Sequence, residues 1–436
     1  MKNGCYRVLL AVIVYIIGCV QTEKTQKSSL QDIIKPMKNK EEQSTELIYR
    51  QGAYYVNKYQ NLFVELLGRS GQEVQAKIDY AFQQLFYGND NSQRIYYTVE
   101  PDMAYILDVY QNDVRTEGVS YGMMIAVQMD RKTEFDRLWK WAKTYMQHKE
   151  GERKGYFAWC VKPNGEVIDP NTASDGEEWI VMALFFASNR WGNGDGIFNY
   201  KKEAQAILDA MLSKGDLFDG SDAITNMFDR ETKLIVFSPI GKAARLTDPS
   251  YHVPHYYELW AKWADKNNQF WLDAARASRE FLKKVVHPKT GLSPDYAYFD
   301  GSPANPWGGG NDNFRFDAWR VAMNVAIDYE WFTKGDSDYG AWAVAQSNRL
   351  LNFFYSEGMD KYVSLYTLDG KKLVDYKSPG LVAMNAVAAL ASTNEHRKEF
   401  VKELWELPIP DGPYRYYDGL LYMFGLLQVS GNFRIY

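Results

Sequence analysis

From about residue 50 to the C-terminus, apolar residues recur at helical spacing in segments separated by turns rich in Gly, Asn and Asp. Twelve such segments can be marked: 72–86, 118–130, 132–147, 175–190, 200–213, 250–265, 269–286, 315–333, 338–356, 379–391, 396–405 and 416–429. Twelve helices on mostly short connections make six antiparallel hairpins. Such hairpins can close into a ring with an inner and an outer layer of helices, an all-α (α/α)6 barrel over residues 49–436. An open helical solenoid is the competing arrangement, but no repeat period is legible. Strand-like pieces are few, notably 233–237 and a hairpin-like stretch from Tyr362 to Lys371. Ser174-Asp-Gly-Glu177 fits a capping box, and Asp248-Pro249 offers an N-cap followed by proline. The connection 287–312 is long for a helical barrel and carries Tyr296, Tyr298, Trp307 and three successive glycines, which points to a functional loop.

The N-terminus departs from this pattern. Lys2 and Arg7 precede a short apolar run, 8–17, which reads as a secretory signal over residues 1–18. The run ends in Ile16-Ile17-Gly18-Cys19, which resembles a bacterial lipobox with Cys19 as the acylated residue. Residues 19–48 are polar and charged and read as a tether. The expectation is a membrane-anchored bacterial lipoprotein, periplasmic or cell-surface, with no other contact with the membrane. An uncleaved anchor, or an ordinary secretion signal with an incidental cysteine behind it, is the alternative.

Composition narrows the function. Lys and Arg number 50 against 55 Asp and Glu, a net charge of −5, so no basic excess supports a nucleic-acid partner. Three cysteines exclude a disulfide scaffold and leave Cys160 as a small buried hydrophobe. With 13 Trp, 32 Tyr and 22 Phe, aromatic residues make up 15% of the chain. That number fits a large core, and it also fits a cleft whose rings stack on sugar faces.

His252 and His255 have a possible zinc spacing, but a proline lies between them and no Glu or Cys cluster accompanies them. Phosphate-loop and dinucleotide motifs are absent, and no cofactor is expected. With metal and nucleotide chemistries disfavoured, carboxylates lead. Glu117 follows Arg115-Thr116 and precedes glycines and an apolar run; Asp175 opens a helix; Asp317 lies among large apolar residues with Arg320 one turn on. Each also has a purely structural reading: acids at a helix N-terminus for the first two, an Asp–Arg pair at spacing three for the third. Glycoside hydrolysis needs such a set, one carboxylic acid to protonate the departing oxygen and one carboxylate to activate water or attack.

Arg115-Thr-Glu-Gly-Val-Ser-Tyr-Gly-Met-Met124, Ser174-Asp-Gly-Glu-Glu178, Asp248-Pro-Ser-Tyr-His-Val-Pro-His-Tyr-Tyr-Glu-Leu-Trp260, Thr290-Gly-Leu-Ser-Pro-Asp-Tyr296, Phe316-Asp-Ala-Trp-Arg320 and Tyr416-Tyr-Asp418 together resemble glycoside hydrolase family 8. They look most like its xylan-directed branch, which includes the reducing-end xylose-releasing exo-oligoxylanases. The resemblance runs in consistent order from about residue 50 to the end and implies an (α/α)6 barrel with an inverting mechanism. It implies Glu117 as general acid, Asp317 as general base, and Asp175 as the carboxylate that binds and distorts the sugar before the scissile bond. Tyr251 would help hold the attacking water and Arg320 would bind sugar hydroxyls or orient the base. Trp159, Tyr416 and Tyr417 look like sugar-stacking positions, and the implied partner is β-1,4-xylan or a xylo-oligosaccharide.

One stretch departs from the resemblance. Exo-acting members carry a longer loop with a Leu-His-Pro element, where this chain has Asp375-Tyr-Lys-Ser-Pro-Gly-Leu381. Cleavage within longer chains, as by an endo-β-1,4-xylanase, is therefore an open alternative to release of xylose from the reducing end. A β-glucanase of the same family and a non-catalytic glycan-capture lipoprotein are the others.

Overall fold

The computed structural model describes residues 52–215, 223–335 and 338–436. The signal segment, Cys19 and the whole of the expected tether lie outside the described residues. Among the described residues there are twelve helices of ten or more residues: α1 Gly71–Tyr87, α2 Thr116–Gln128, α3 Lys132–Trp141, α4 Ser174–Trp191, α5 Tyr200–Leu212, α6 Pro254–Trp263, α7 Asn268–Val285, α8 Trp319–Asp328, α9 Tyr339–Glu357, α10 Pro379–Ala388, α11 Arg397–Glu406 and α12 Arg415–Val429. Each corresponds to one of the twelve segments marked in the sequence. Two start later than their apolar pattern. The segment 250–265 opens with a 3-10 turn, Pro249–Tyr251, before α6, and 315–333 opens with the turn carrying Asp317 before α8.

The even-numbered helices pack on one another in sequence, and α12 closes on α2; the odd-numbered helices cover them from outside. This is the (α/α)6 barrel. The two layers differ in composition for a physical reason. Outer α7 buries Trp271, Ala274, Ala275, Ser278, Phe281, Leu282 and Val285, one stripe at helical spacing, and leaves its opposite face to water. Inner α2 is buried at every position from Gly118 to Gln128, because it has neighbours on all sides. The aromatic excess goes largely into this packing: Trp139, Trp141, Trp260, Trp271, Trp319 and Trp331 are all fully buried. Each such side chain contributes about 1.5–3 kcal/mol by leaving water.

Alternation places the N-termini of all six inner helices at the same end of the barrel, where they are tied together. Tyr257 on α6 donates to Glu178 on α4. The Asn324 amide on α8 donates to the Ser250 carbonyl at 2.6 Å, and the Gly380 amide on α10 donates to Asp418 on α12 at 3.0 Å. At Gly176 a Cβ would stand 2.5 Å from Thr116, so glycine is what lets α4 approach the start of α2.

The few strands are short and sit in the connections: β1 Tyr96–Val99 pairs antiparallel with β2 Met103–Ile106, β4 Cys160–Val161 lies between β3 Val114–Arg115 and β5 Val167–Asp169 and pairs antiparallel with both, and β6 Leu246–Thr247 pairs with β7 Ala297–Tyr298. Neither expected strand-like piece forms a strand. Ile235 and Tyr366 make only isolated bridges, since each lies beside irregular loop with no partner of matching length. The expected capping box at Ser174 is also not formed. Ser174 is already the first helical residue, behind Ala173, and the Glu177 carboxylate accepts instead from the Phe157 amide at 2.8 Å. A capping box occurs at the start of α1, between Ser70 and Glu73. Cys160 is free and buried. Among the described residues no helix is long and apolar enough to cross a membrane.

Candidate active site

The three carboxylates singled out in the sequence meet at one guanidinium. Arg320, on the first turn of α8, is buried to 2% exposure. Its Nη2 donates to Asp317 Oδ1 at 2.8 Å and its Nη1 donates to Asp175 Oδ2 at 3.0 Å. The same Nη1 lies 3.5 Å from Glu117 Oε2 and donates to the Tyr121 hydroxyl. Only the Asp317–Arg320 bond is local. Asp175 comes from the start of α4 and Glu117 and Tyr121 from the start of α2, brought in by barrel closure. Glu117 and Asp317 thus hang on the two ends of one guanidinium, Nη1 3.5 Å from the first and Nη2 2.8 Å from the second.

The surroundings set the protonation states. Burial, opposed by Arg320 and reinforced by the Asp175 and Asp317 charges, pushes the Glu117 carboxyl up to about 7. Burial likewise pushes Asp175 up to about 6, again opposed by Arg320. At neutral pH about half of Glu117 therefore keeps a proton that a solvated glutamate would have lost. Its other contact is the Tyr416 hydroxyl, which donates to Glu117 Oε1 at 2.9 Å. Gly118 makes room for that ring, since a Cβ there would meet Tyr416 atoms at 2.5 Å. Tyr416 is thus buried beside the acid by its hydroxyl.

Glu117, Asp175, Asp317 and Arg320 form the floor of a cleft of about 510 Å³, whose walls include Trp159, Phe237, Tyr251 and Tyr296. Tyr251 is stacked on Phe237 with ring centroids 5.9 Å apart, and Trp159 lies under the Arg115 guanidinium at 5.7 Å. Trp307 packs on Phe237 at 5.7 Å and keeps 54% of its surface exposed at the rim. A second hollow of about 570 Å³ is lined by Tyr110, Phe316, Trp319, Tyr376, Tyr414, Tyr416, Tyr417 and Asp418. Tyr416 reaches Glu117, and Phe316 precedes Asp317, so the two hollows meet at the acid and the base. The Tyr417 hydroxyl donates to the Phe316 carbonyl at 3.0 Å, which fixes that ring along the second hollow.

Two features of the sequence take no part. Gly118-Val-Ser-Tyr-Gly122 has the spacing of a serine-nucleophile elbow, but Ser120 is buried inside α2 and donates to the Glu117 carbonyl at 2.9 Å. His252 is a core residue between Thr247 at 3.0 Å and Ser278 at 2.9 Å, pushed down to about 3 by burial; His255 packs edge-on against Trp331. Among the described residues no group of three or more His, Cys, Asp or Glu side chains could hold a metal ion. Tyr296 lies in the loop 287–312 that the sequence marks as functional, whereas Phe237, Tyr110 and Tyr414 carry no such mark, because nothing local distinguishes a cleft ring from a core ring.

Residues 106–431 match the model of glycosyl hydrolases family 8. The chain belongs to that family. Among its relatives, the reducing-end xylose-releasing exo-oligoxylanase of Paenibacillus barcinonensis is 46% identical over 389 residues, 88% of this chain and 98% of that protein. The exo-oligoxylanase of Halalkalibacterium halodurans is 43% identical over 88% of this chain and 96% of its own length. Of the solved family members, the Paenibacillus barcinonensis enzyme complexed with xylose superposes with a TM-score of 0.82, covering 88% of this chain and 99% of the other. A catalytic mutant of a family 8 xylanase from Teredinibacter turnerae, complexed with xylohexaose, has a TM-score of 0.83 at 44% identity and the same coverage.

A pH prediction follows from the Glu117 environment. The acid works when protonated, so kcat/KM is expected to fall by about tenfold per pH unit above about pH 7. Tyr416→Phe removes a hydrogen bond that favours the carboxylate form, so it should move this alkaline limb upward. A limb that stays in place or moves down in that variant would contradict the role of the hydroxyl.

Proposed function

We propose that the protein is an inverting glycoside hydrolase that cleaves β-1,4-xylosidic bonds in xylo-oligosaccharides and releases xylose from the reducing end. The observation that carries the chemistry is the convergence of Glu117, Asp175 and Asp317 on Arg320, with Glu117 alone bonded to a tyrosine hydroxyl. Glu117 gives its proton to the departing glycosidic oxygen. Asp317, at the opposite end of the guanidinium and 29% exposed, takes a proton from the water that attacks the anomeric carbon. Tyr251 borders the space in which that water stands, and Asp175 accepts hydroxyls of the sugar about to be transferred. The names of the relatives supply the substrate class, and the xylose and xylohexaose complexes of two of them place xylose units in barrels of this kind. A capture protein without catalysis would have no use for a carboxyl whose ionisation is displaced to about 7 between two charged acids.

One observation favours a second reading, cleavage within the chain. Asp375–Leu381 lines the second hollow, on the Tyr416 side of the acid, through Tyr376, Lys377, Ser378 and Pro379 without filling it, and Tyr110 and Tyr414 stand at its edge, 59% and 65% exposed. That space suits more than one sugar beyond the scissile bond. Xylohexaose labelled at the reducing end separates the two: labelled xylose as the sole early labelled product supports reducing-end release, whereas labelled xylobiose and xylotriose from the first minutes would replace it by internal cleavage. No rise in reducing ends with any xylo-oligosaccharide would sink both.

The same reading holds the enzyme at a membrane through acylated Cys19, on the strength of the apolar run 8–17 and the Ile16–Cys19 sequence. Cys19→Ala should then release it from the membrane fraction; retention of the variant there would refute the anchor.

A further inference from the structure

Behind the base lie two buried carboxyls that the hydrolytic scheme leaves unused. Asp295, 2% exposed, accepts from the Ala318 amide at 3.2 Å through Oδ1 and from the Asn311 amide at 3.3 Å through Oδ2, and its own amide donates to the Asn313 carbonyl at 3.0 Å. Ala318 is the residue after Asp317. On its other flank the same segment is pinned by Phe314, which exchanges two backbone hydrogen bonds with Tyr366, at 2.9 and 3.1 Å. Asp295 thus closes a clamp on the turn that carries the base and joins it to the glycine loop 308–310, behind Trp307. The second carboxyl, Asp248, is fully buried; its Oδ1 accepts from the Ser250 amide at 2.7 Å and its Oδ2 has no hydrogen-bond partner among the described residues. The cation at hand, Arg320, is already shared by Asp317, Asp175 and Glu117.

We propose that Asp295 is a positioning residue for the base, holding the peptide after Asp317 as a neutral acid and so fixing where the Asp317 carboxylate points. The proposal rests on Asp317 being the base. Neutrality follows from the setting. A carboxylate at 295 would place a second negative charge beside Asp317 with Arg315 as its opposing charge, and burial together with the Asp317 charge pushes Asp295 up to about 8. Asp248 is held well above the usual carboxylate range by burial and by Asp317, so neither acid competes with the base for Arg320. The physical gain is orientation: a displacement of about 1 Å at a reacting group can cost ~10²-fold in rate.

The test compares Asp295→Asn, Asp295→Ala, Asp317→Asn and the double variant Asp295→Ala/Asp317→Asn for kcat and KM on xylohexaose. Asparagine keeps Oδ1 for the Ala318 amide and is neutral, and the Asn311 amide can turn over to accept from it. Asp295→Asn should therefore stay within about threefold of wild type, while Asp295→Ala should lose roughly 10- to 100-fold in kcat with KM little changed. In the Asp317→Asn background the alanine should cost nothing further, because its effect runs through the base. An asparagine as impaired as the alanine, an alanine with wild-type kcat, or losses that multiply in the double variant would each overturn the proposal. If Asp295→Ala does not fold, Asp295→Asn still decides, by near-normal or lost kcat. Near wild-type activity in Asp317→Asn alone would instead remove the assignment of the base.

Discussion

Replacing Asp317 by asparagine should lower kcat on xylohexaose by about 10²–10⁴-fold and leave KM close to wild type, because the change removes a proton acceptor and keeps the shape. Glu117→Gln should cost a comparable factor on the same substrate. The two differ in what rescues them. With an aryl glycoside whose phenolate departs without a proton, Glu117→Gln should recover most of its rate, since the acid has no work to do. Asp317→Asn should not recover, since water must still be activated. Recovery of both, or of neither, would mean that the roles of acid and base are wrongly divided. The anomer formed first, followed by NMR, checks the stereochemical side of the scheme: the new reducing end, carried by the oligosaccharide on the non-reducing side of the broken bond, should appear as α from a β-linked chain for inversion and as β for retention.

The second large effect is on stability. Arg320→Met should destabilise the fold by about 3–5 kcal/mol at neutral pH, because it leaves Asp175, Glu117 and Asp317 facing one another without their shared cation. The pH dependence has a definite sign. Asp175 and Glu117 ionise near 6 and 7 in the folded protein, so the guanidinium interaction nears full strength only at about pH 8. As pH falls below about 6 these two acids take up protons, the interaction weakens, and the cost of the substitution should shrink. Urea unfolding of both proteins at pH 5 and pH 8 measures this directly. An equal or larger loss at pH 5 would show that Arg320 stabilises the barrel by packing alone. Activity in the variant should be lost at every pH, since Asp317 loses the partner that holds it in place.

The helical order of the barrel was open to reading from the chain alone, because the period of 3.6 residues is a local property and each inner or outer helix carries its own apolar pattern. Alternation of heavily apolar and one-sided helices, as in α2 against α7, even anticipates which layer each joins. The Asp317–Arg320 pair was legible for the same reason, since three residues of helical turn bring the two side chains together. The family motifs placed Glu117 and Asp175 as candidates without showing how they meet.

What the tertiary structure decided is long-range. Arg320 reaches Asp175 across 145 positions, and Tyr416 finds Glu117 across 299. No spacing rule could foresee that a tyrosine marked for sugar stacking has its hydroxyl on the acid. Ser174 resembled a cap until packing put the helix start one residue earlier and drew Glu177 to the Phe157 amide. Asp248 reads from the sequence as a helix cap and Asp295 only as part of a family motif, neither as a buried acid, since a carboxylate in a loop is ordinarily a solvated one. Burial behind the base is what makes them neutral, and burial is a property of the closed barrel. The sequence by itself determined the twelve helices and the residue types that chemistry requires. Only closure of the ring decided which carboxylates share a cation, because the free energy of ionising each depends on neighbours that lie far away along the chain.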